Sequence, residues 1–343
     1  MKHTLFAMAF FLFSLFGAKA QNNLSVGDFQ KALAPDTRLI DVRTETEFNE
    51  GHLRGAVNYD WFQKDYTERI KADFSKDTPL YLYCRSGRRS AAAAEKLTKE
   101  GFTVYNMLGG YLAWTGEGKE VTRYEVERFV TAYGKPLEIT LVKHGSLEIR
   151  YEGLSIQIDP MTELGKKTDY AKEFPKADLI LVTHEHGDHY DPEAIKNLTG
   201  NDTELITNAR CAQMIGYGTV MANGDALDRG FLHLEAVPAY NITEGHLQFH
   251  PKGRDNGFVL TLDGLRIYVA GDTEDVPEMG LLENIDIAFL PVNQPYTMTV
   301  DQCIRAAKII RPKILIPYHF SKTDVSPLPQ ALPGIDVRLR QMQ

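Results

Sequence analysis

The sequence predicts an α/β protein in two parts, an open parallel sheet followed by two β layers with helices outside them. Three observations carry this reading. Over residues 38–105, short apolar runs alternate with a strongly helical segment, the alternation of a parallel sheet. Two later hairpin patterns, Tyr151–Asp159 and Thr261–Val269, share an acidic-Gly-Leu turn and suggest two similarly built β halves. The 343 residues, 43% apolar and 24% charged, suit two domains and exclude a disordered chain.

Taken in order, residues 1–20 have the three-part build of a secretory signal: Lys2, an apolar stretch from Leu5 to Phe16, and Ala18-Lys19-Ala20 before Gln21. The apolar stretch falls short of the roughly 20 residues that span a bilayer. Export to the periplasm or beyond is therefore expected, with no stable membrane insertion once the signal is removed. Arg38–Val42, Leu80–Tyr83 and Val104-Tyr105 read as strands, and Ser90–Leu97 as a helix ending near Gly101. A polar stretch after Trp114 leads into an expected linker helix, Thr122–Ala132, within residues 118–136. Beyond it, Asp178–Val182, Ile285–Leu290 and Lys313–Ile316 read as buried strands, and Pro192–Leu198, Ala209–Ile215 and Val300–Ile310 as helices. The formal charge of −8 argues against a nucleic-acid partner. Three cysteines are too few for a disulfide framework; Cys211 and Cys303, within helical patterns, read as buried and inert.

Cys84-Arg85-Ser86-Gly87-Arg88-Arg89-Ser90 lies between a predicted strand and helix. A short loop and a helix N-terminus there curl amide N–H groups around the sulfur, a cradle for an anion, a thiolate or a persulfide. With Asp41-Val-Arg43, Glu47-Phe48, Gly51-His52-Leu53 and Gly109-Gly110-x-x-x-Trp114, this loop resembles the rhodanese family over residues 22–117. The resemblance implies that Cys84 accepts a sulfane sulfur and passes it to a thiol acceptor, with residues 85–90 holding the anion; a fold kept only as a binding module is the alternative. His52 reads as structural.

Thr183-His184-Glu185-His186-Gly187-Asp188-His189 follows the strand ending at Val182, and Asp272 and His319 follow other strands. Imidazoles and carboxylates at strand ends on one face suit neighbouring metal ions. The set resembles the metallo-β-lactamase superfamily, an αββα sandwich here spanning residues 137–343. Asp159-Pro160, His250-Pro-Lys-Gly253 and Gly271-Asp272-Thr273 bring it nearest the ascorbate-6-phosphate lactonase-like branch. The resemblance implies two divalent ions, zinc before manganese or iron. His184, His186 and a third histidine would hold the first; Asp188, His189 and His319 the second; Asp272 would bridge. Many relatives carry their third histidine where Asn241 stands here, so His250 is the expected replacement, with His246 or a water as alternatives. His144 either lines the site or is structural; His233 and His246 read as surface residues.

The implied function is exported, metal-dependent hydrolysis of a small-molecule lactone, ester, amide or phosphodiester, with Asp188 orienting water or returning a proton. A rhodanese-type sulfurtransferase domain, with a sulfane-sulfur donor or thiol acceptor as partner, stands in front. The competing reading is a persulfide dioxygenase using one iron held by two histidines and an aspartate, for which Asp188 and His319 would be superfluous. A non-catalytic binding protein is a third.

Overall fold

A computed structural model of the chain describes residues 21–34, 37–340 and 342; the expected secretory signal, residues 1–20, lies outside the described residues. The chain divides into two compact units. The first comprises the described residues to His52 and Ala56–Val121, and the second Leu53–Gly55 and the described residues from Thr122 onward.

In the first unit, β1 (Gln21–Leu24), β2 (Arg38–Asp41), β3 (Val57–Asn58), β4 (Leu80–Tyr83) and β5 (Val104–Met107) form a sheet in the order β1-β5-β4-β2-β3. Every pairing is parallel, so each connection crosses over, and each does so through a helix. The helices are α1 (Val26–Ala32), α2 (Glu45–Glu50), α3 (Tyr66–Asp73), α4 (Arg88–Lys99) and α5 (Gly110–Gly116). Helix α4 begins as the left-handed Gly87 turns the chain out of the Cys84 loop. Its Ala93, Ala94 and Leu97 bury against Ile40, Leu82 and Val104, small side chains bringing the helix close to the sheet. Gly101, with φ +95°, ends the helix as its position predicts.

In the second unit the expected linker helix is a correction. Residues Glu125–Val130 form β6, which pairs antiparallel with β7 (Pro136–Lys143). Burial alternates along Glu127-Arg-Phe129, and Phe129 enters the core, so the period is two. The helical propensity of Glu and Arg yields to that pairing, and Tyr133-Gly134 is a hairpin turn.

Strands β8 (Ser146–Tyr151), β9 (Leu154–Ile158), β10 (Ala177–Val182), β11 (Thr199–Thr207) and β12 (Thr219–Val220) complete a seven-stranded sheet running from β12 to β6. Strands β13 (Ala226–Asp228), β14 (Leu232–Ala239), β15 (Asp255–Leu262), β16 (Leu265–Val269), β17 (Ile287–Pro291), β18 (Ile314–Tyr318) and β19 (Asp336–Val337) make a second sheet, in chain order. Each sheet has three antiparallel pairings followed by three parallel ones. The two echoed hairpins join β8 to β9 and β15 to β16. Their turn residues, Glu152-Gly153 and Asp263-Gly264, all have positive φ, the type I′ geometry that acidic-Gly pairs favour.

The sheets pack face to face through one core that includes Leu141, Ile149 and Leu181 from the first and Phe258, Ile267 and Phe289 from the second. Helices α6 (Tyr170–Glu173), α7 (Pro192–Leu198) and α8 (Ala209–Ile215) cover the outer face of the first sheet. Helices α9 (Val300–Ile310) and α10 (Leu328–Ala331) cover that of the second, completing the αββα sandwich. Cys211 and Cys303 are buried and unpaired, and burial pushes both thiols up to about 12.

Candidate functional site

The Cys84 loop follows β4. The first amides of α5 hold its outward face: Tyr111 N–H donates to the Cys84 carbonyl at 2.8 Å and Leu112 N–H to the Arg85 carbonyl at 3.0 Å. The approach is close enough that a Cβ on Gly110 would run into the Cys84 carbonyl. Arg89 is fixed by a bidentate pair to Glu47, at 2.8 and 2.7 Å, and Glu47 in turn caps α2 through Thr44. That pairing carries the Glu47 carboxyl down to about 2. Cys84, Gly87 and Ser90 are buried, whereas Arg85, Ser86 and Arg88 are exposed. Among the described residues neither Arg85 nor Arg88 has an ion pair. His52 is structural, stacked on Phe48 at 3.7 Å.

In the second unit, strand ends gather the metal-type donors. The loop after β10 carries His184, His186, Asp188 and His189; the turn after β16 carries Asp272, and β18 ends before His319. His250 lies just ahead of β15. All seven expected ligands converge in three overlapping groups whose ligand atoms lie within 4.8 Å of one another: His184, His186 and His250; His184, His189 and Asp272; and His144, Asp188, His189 and His319. Asp272 is central. Its Oδ2 is 3.4 Å from His250 Nε2 and 3.3 Å from His319 Nε2, and its Oδ1 is 3.2 Å from His189 Nε2.

Hydrogen bonds behind the imidazoles set their tautomers. His189 Nδ1–H donates to Asp159 Oδ2 at 2.8 Å, and His250 Nδ1–H to Asp255 Oδ2 at 3.2 Å. Thr183 donates its hydroxyl proton to Asp159 Oδ2 at 2.7 Å, so its oxygen accepts from His184 Nδ1 at 2.9 Å. In each case Nδ1 keeps its proton and Nε2 is the atom turned to the centre, the one a ligand presents. The buried Nε2 atoms of His184, His189 and His319, with Asp272 Oδ1, have no hydrogen-bond partner. Buried polar atoms left this way, aimed at one another, fit divalent cations.

Burial, with His189 beside it, holds His184 well below the ordinary histidine value. His189 is driven the other way: burial opposes its charge, but Asp272 and Asp159 raise it well above that value. Burial likewise opposes charge on Asp272 and Asp188. The imidazoles of His319 and His189 nevertheless hold Asp272 well below the carboxylate range, and the hydrogen bond from His144, with the His319 imidazole 3.4 Å away, does the same for Asp188.

Asn241 stands outside the donor groups in a bracing role: its amide donates to the Tyr296 carbonyl at 2.8 Å and its backbone N–H to the His250 carbonyl at 2.8 Å. His246 pairs with Glu274, and the half-buried His233 with Asp228. Sequence reasoning missed Asp255 altogether and read Thr183 and Asp159 only as parts of motifs. An acid closing β9, in the hairpin that echoes the one before Asp272, was the available signal.

Comparison with known proteins agrees with this architecture. Residues 138–319 match the family model described as a β-lactamase superfamily domain, and residues 25–117 that of a rhodanese-like domain. A UPF0173 metal-dependent hydrolase from Bacillus pumilus is 32% identical over 196 residues, covering 54% of this chain and 86% of that protein. A solved structure from Parabacteroides distasonis, named as a candidate metal-dependent hydrolase, is 53% identical with a TM-score of 0.62, covering 64% of this chain and all of that one. Igni18, a metallo hydrolase from Ignicoccus hospitalis, is 25% identical with a TM-score of 0.52, covering 60% of this chain and 95% of its own.

Proposed function

This chain belongs to the β-lactamase superfamily, as a metal-dependent hydrolase with a rhodanese-like domain in front, and on that premise we propose a two-ion hydrolase exported from the cytoplasm. Asp272 carries the reading, since one buried carboxylate lies within 3.4 Å of imidazole nitrogens from both the His250 and the His319 groups. His184, His186 and His250 would hold one ion, Asp188, His189 and His319 the other, with Asp272 between them. Bound there, divalent zinc, manganese or iron supplies Lewis acidity, bringing the pKa of a water toward neutrality and polarising the scissile group.

The chain's own residues do the rest. Asp159, Thr183 and Asp255 keep Nε2 of His189, His184 and His250 turned inward. Asp188, half-buried at 35% side-chain exposure, is ionised and accepts a hydrogen bond from the attacking water. The substrate is a small lactone, ester, amide or phosphodiester. In the first unit Cys84 takes a sulfane sulfur from an anionic donor, with Arg85 and Arg88 free to meet its charge.

Elemental analysis of the purified protein, combined with hydrolysis of generic esters and phosphodiesters, tests the first part. About two ions per chain and hydrolysis lost in His184→Ala are expected. Iron-dependent oxygen uptake with glutathione persulfide would overturn it. Thiosulfate-to-cyanide transfer lost in Cys84→Ser tests the second part, and equal rates in mutant and parent would exclude Cys84 as the acceptor.

A further inference from the structure

We propose that the His144–Gly145 turn between β7 and β8 is the template of the second donor group, and that His144 is a positioning residue holding Asp188 and His319 in ligating geometry. The inference rests on the two-ion reading above. Four contacts from two adjacent residues reach all three members of that group. His144 Nε2–H donates to Asp188 Oδ2 at 3.1 Å. The His144 ring lies on His319 with centroids 3.6 Å apart, and the His144 carbonyl accepts the His319 N–H at 3.2 Å. Gly145 packs against His189 so closely that a Cβ there would sit 2.6 Å from Cε1 of that ring.

The backbone points the same way. His144 has φ +46° and His319 φ +50°, in the left-handed region that a non-glycine residue occupies at a cost. A turn under no further demand favours Gly or Asn at such a position. An imidazole held there gains nothing for the turn itself, but its Nε2 reaches Asp188. An ionised carboxylate offers about four acceptor sites, so one hydrogen bond from His144 fixes the Asp188 rotamer and leaves lone pairs for a cation. Among the described residues His144 makes no such contact with His184, His186 or His250, so its effect is confined to one of the two ions.

The test is zinc titration of the ion-free full chain against a chromophoric chelator, with metal content by elemental analysis. The parent is expected to take two ions in separable steps. In His144→Ala the second step weakens by about 10–100-fold, the range for loss of a residue that orients a ligand, while the first stays within about twofold. His144→Gln, whose amide can still donate to Asp188, recovers part of the loss and so separates positioning from general damage to the turn. A parent-like second step in His144→Ala overturns the proposal, as does an equal fall in both steps or a glutamine variant no better than alanine. A parent that takes a single ion overturns the two-ion reading and this proposal together.

Discussion

Asp159→Asn is the sharpest probe of how the centre is wired. The wild-type carboxylate, fully buried, accepts three hydrogen bonds: Thr183 N–H on Oδ1 at 2.7 Å, and the Thr183 hydroxyl and His189 Nδ1–H on Oδ2 at 2.7 and 2.8 Å. Asparagine tolerates the residue's left-handed backbone, φ +43°, so the substitution acts through hydrogen bonding. Its NH₂ has to face one side. Facing the Thr183 amide it leaves a buried backbone donor unpaired, at about 1–3 kcal/mol, and that donor cannot rotate. Facing the other side, it forces His189 to accept at Nδ1, which moves the proton onto Nε2. Thr183 then accepts from the amide and turns its own proton toward His184 Nδ1, so His184 changes tautomer as well. One substitution thus removes the ligating lone pairs of two histidines, one in each donor group. Affinity for both ions should fall by about 10–100-fold, or about 1.4–2.8 kcal/mol each. Competitive zinc titration measures this, with melting of the ion-free variant as the control for folding. Both affinities within twofold of the parent would refute the argument.

Three further outcomes follow from the geometry. Gly145→Ala brings a methyl group against the His189 ring, so it should weaken metal binding and cost about 1–3 kcal/mol in denaturant unfolding; parent-like values in both would contradict the packing. Because Asp272 and Asp159 hold His189 protonated in the ion-free protein, metal uptake near pH 7 should release about one proton and weaken as the pH falls. Calorimetry in buffers of different ionisation enthalpy reads that release, and identical heats in all of them would refute it. Arg89 depresses the Glu47 carboxyl to about 2, so its contribution is complete above the ordinary value of 4.5 and is lost as the pH falls toward 2. The melting temperature of Glu47→Gln should therefore lie below the parent's at pH 7 and converge with it in acid; a gap that persists at pH 2 would exclude the pair as its source.

The contiguous chemistry was legible. His184 to His189 and Cys84 to Ser90 each sit in a few residues directly after an apolar strand, so local pattern and site coincide. The residues that aim those donors were not. Asp159 acts on Thr183 and His189 across 24 and 30 residues of sequence, and no periodicity marks such a partner. The same holds for β1, whose polar Gln21-Asn-Asn becomes a strand only by pairing with β5, some 80 residues on. In β6 the signal was present but short: six residues with two glutamates and an arginine satisfy helical propensity as readily as strand alternation, and only the partner strand decides. His144 stayed open because its role depends on a left-handed φ that nothing in Lys143-His-Gly-Ser146 dictates.

The matched succession of pairings divides the sandwich into two halves of one plan, β6–β12 and β13–β19. The donors divide along that line: His184, His186, Asp188 and His189 come from the earlier half, and His250, Asp272 and His319 from the later one. Each ion set would draw two donors from the first half and one from the second, with Asp272 reaching across from the second half to both. Neither half closes a centre by itself, so bound ions would act as stitches across the seam between them.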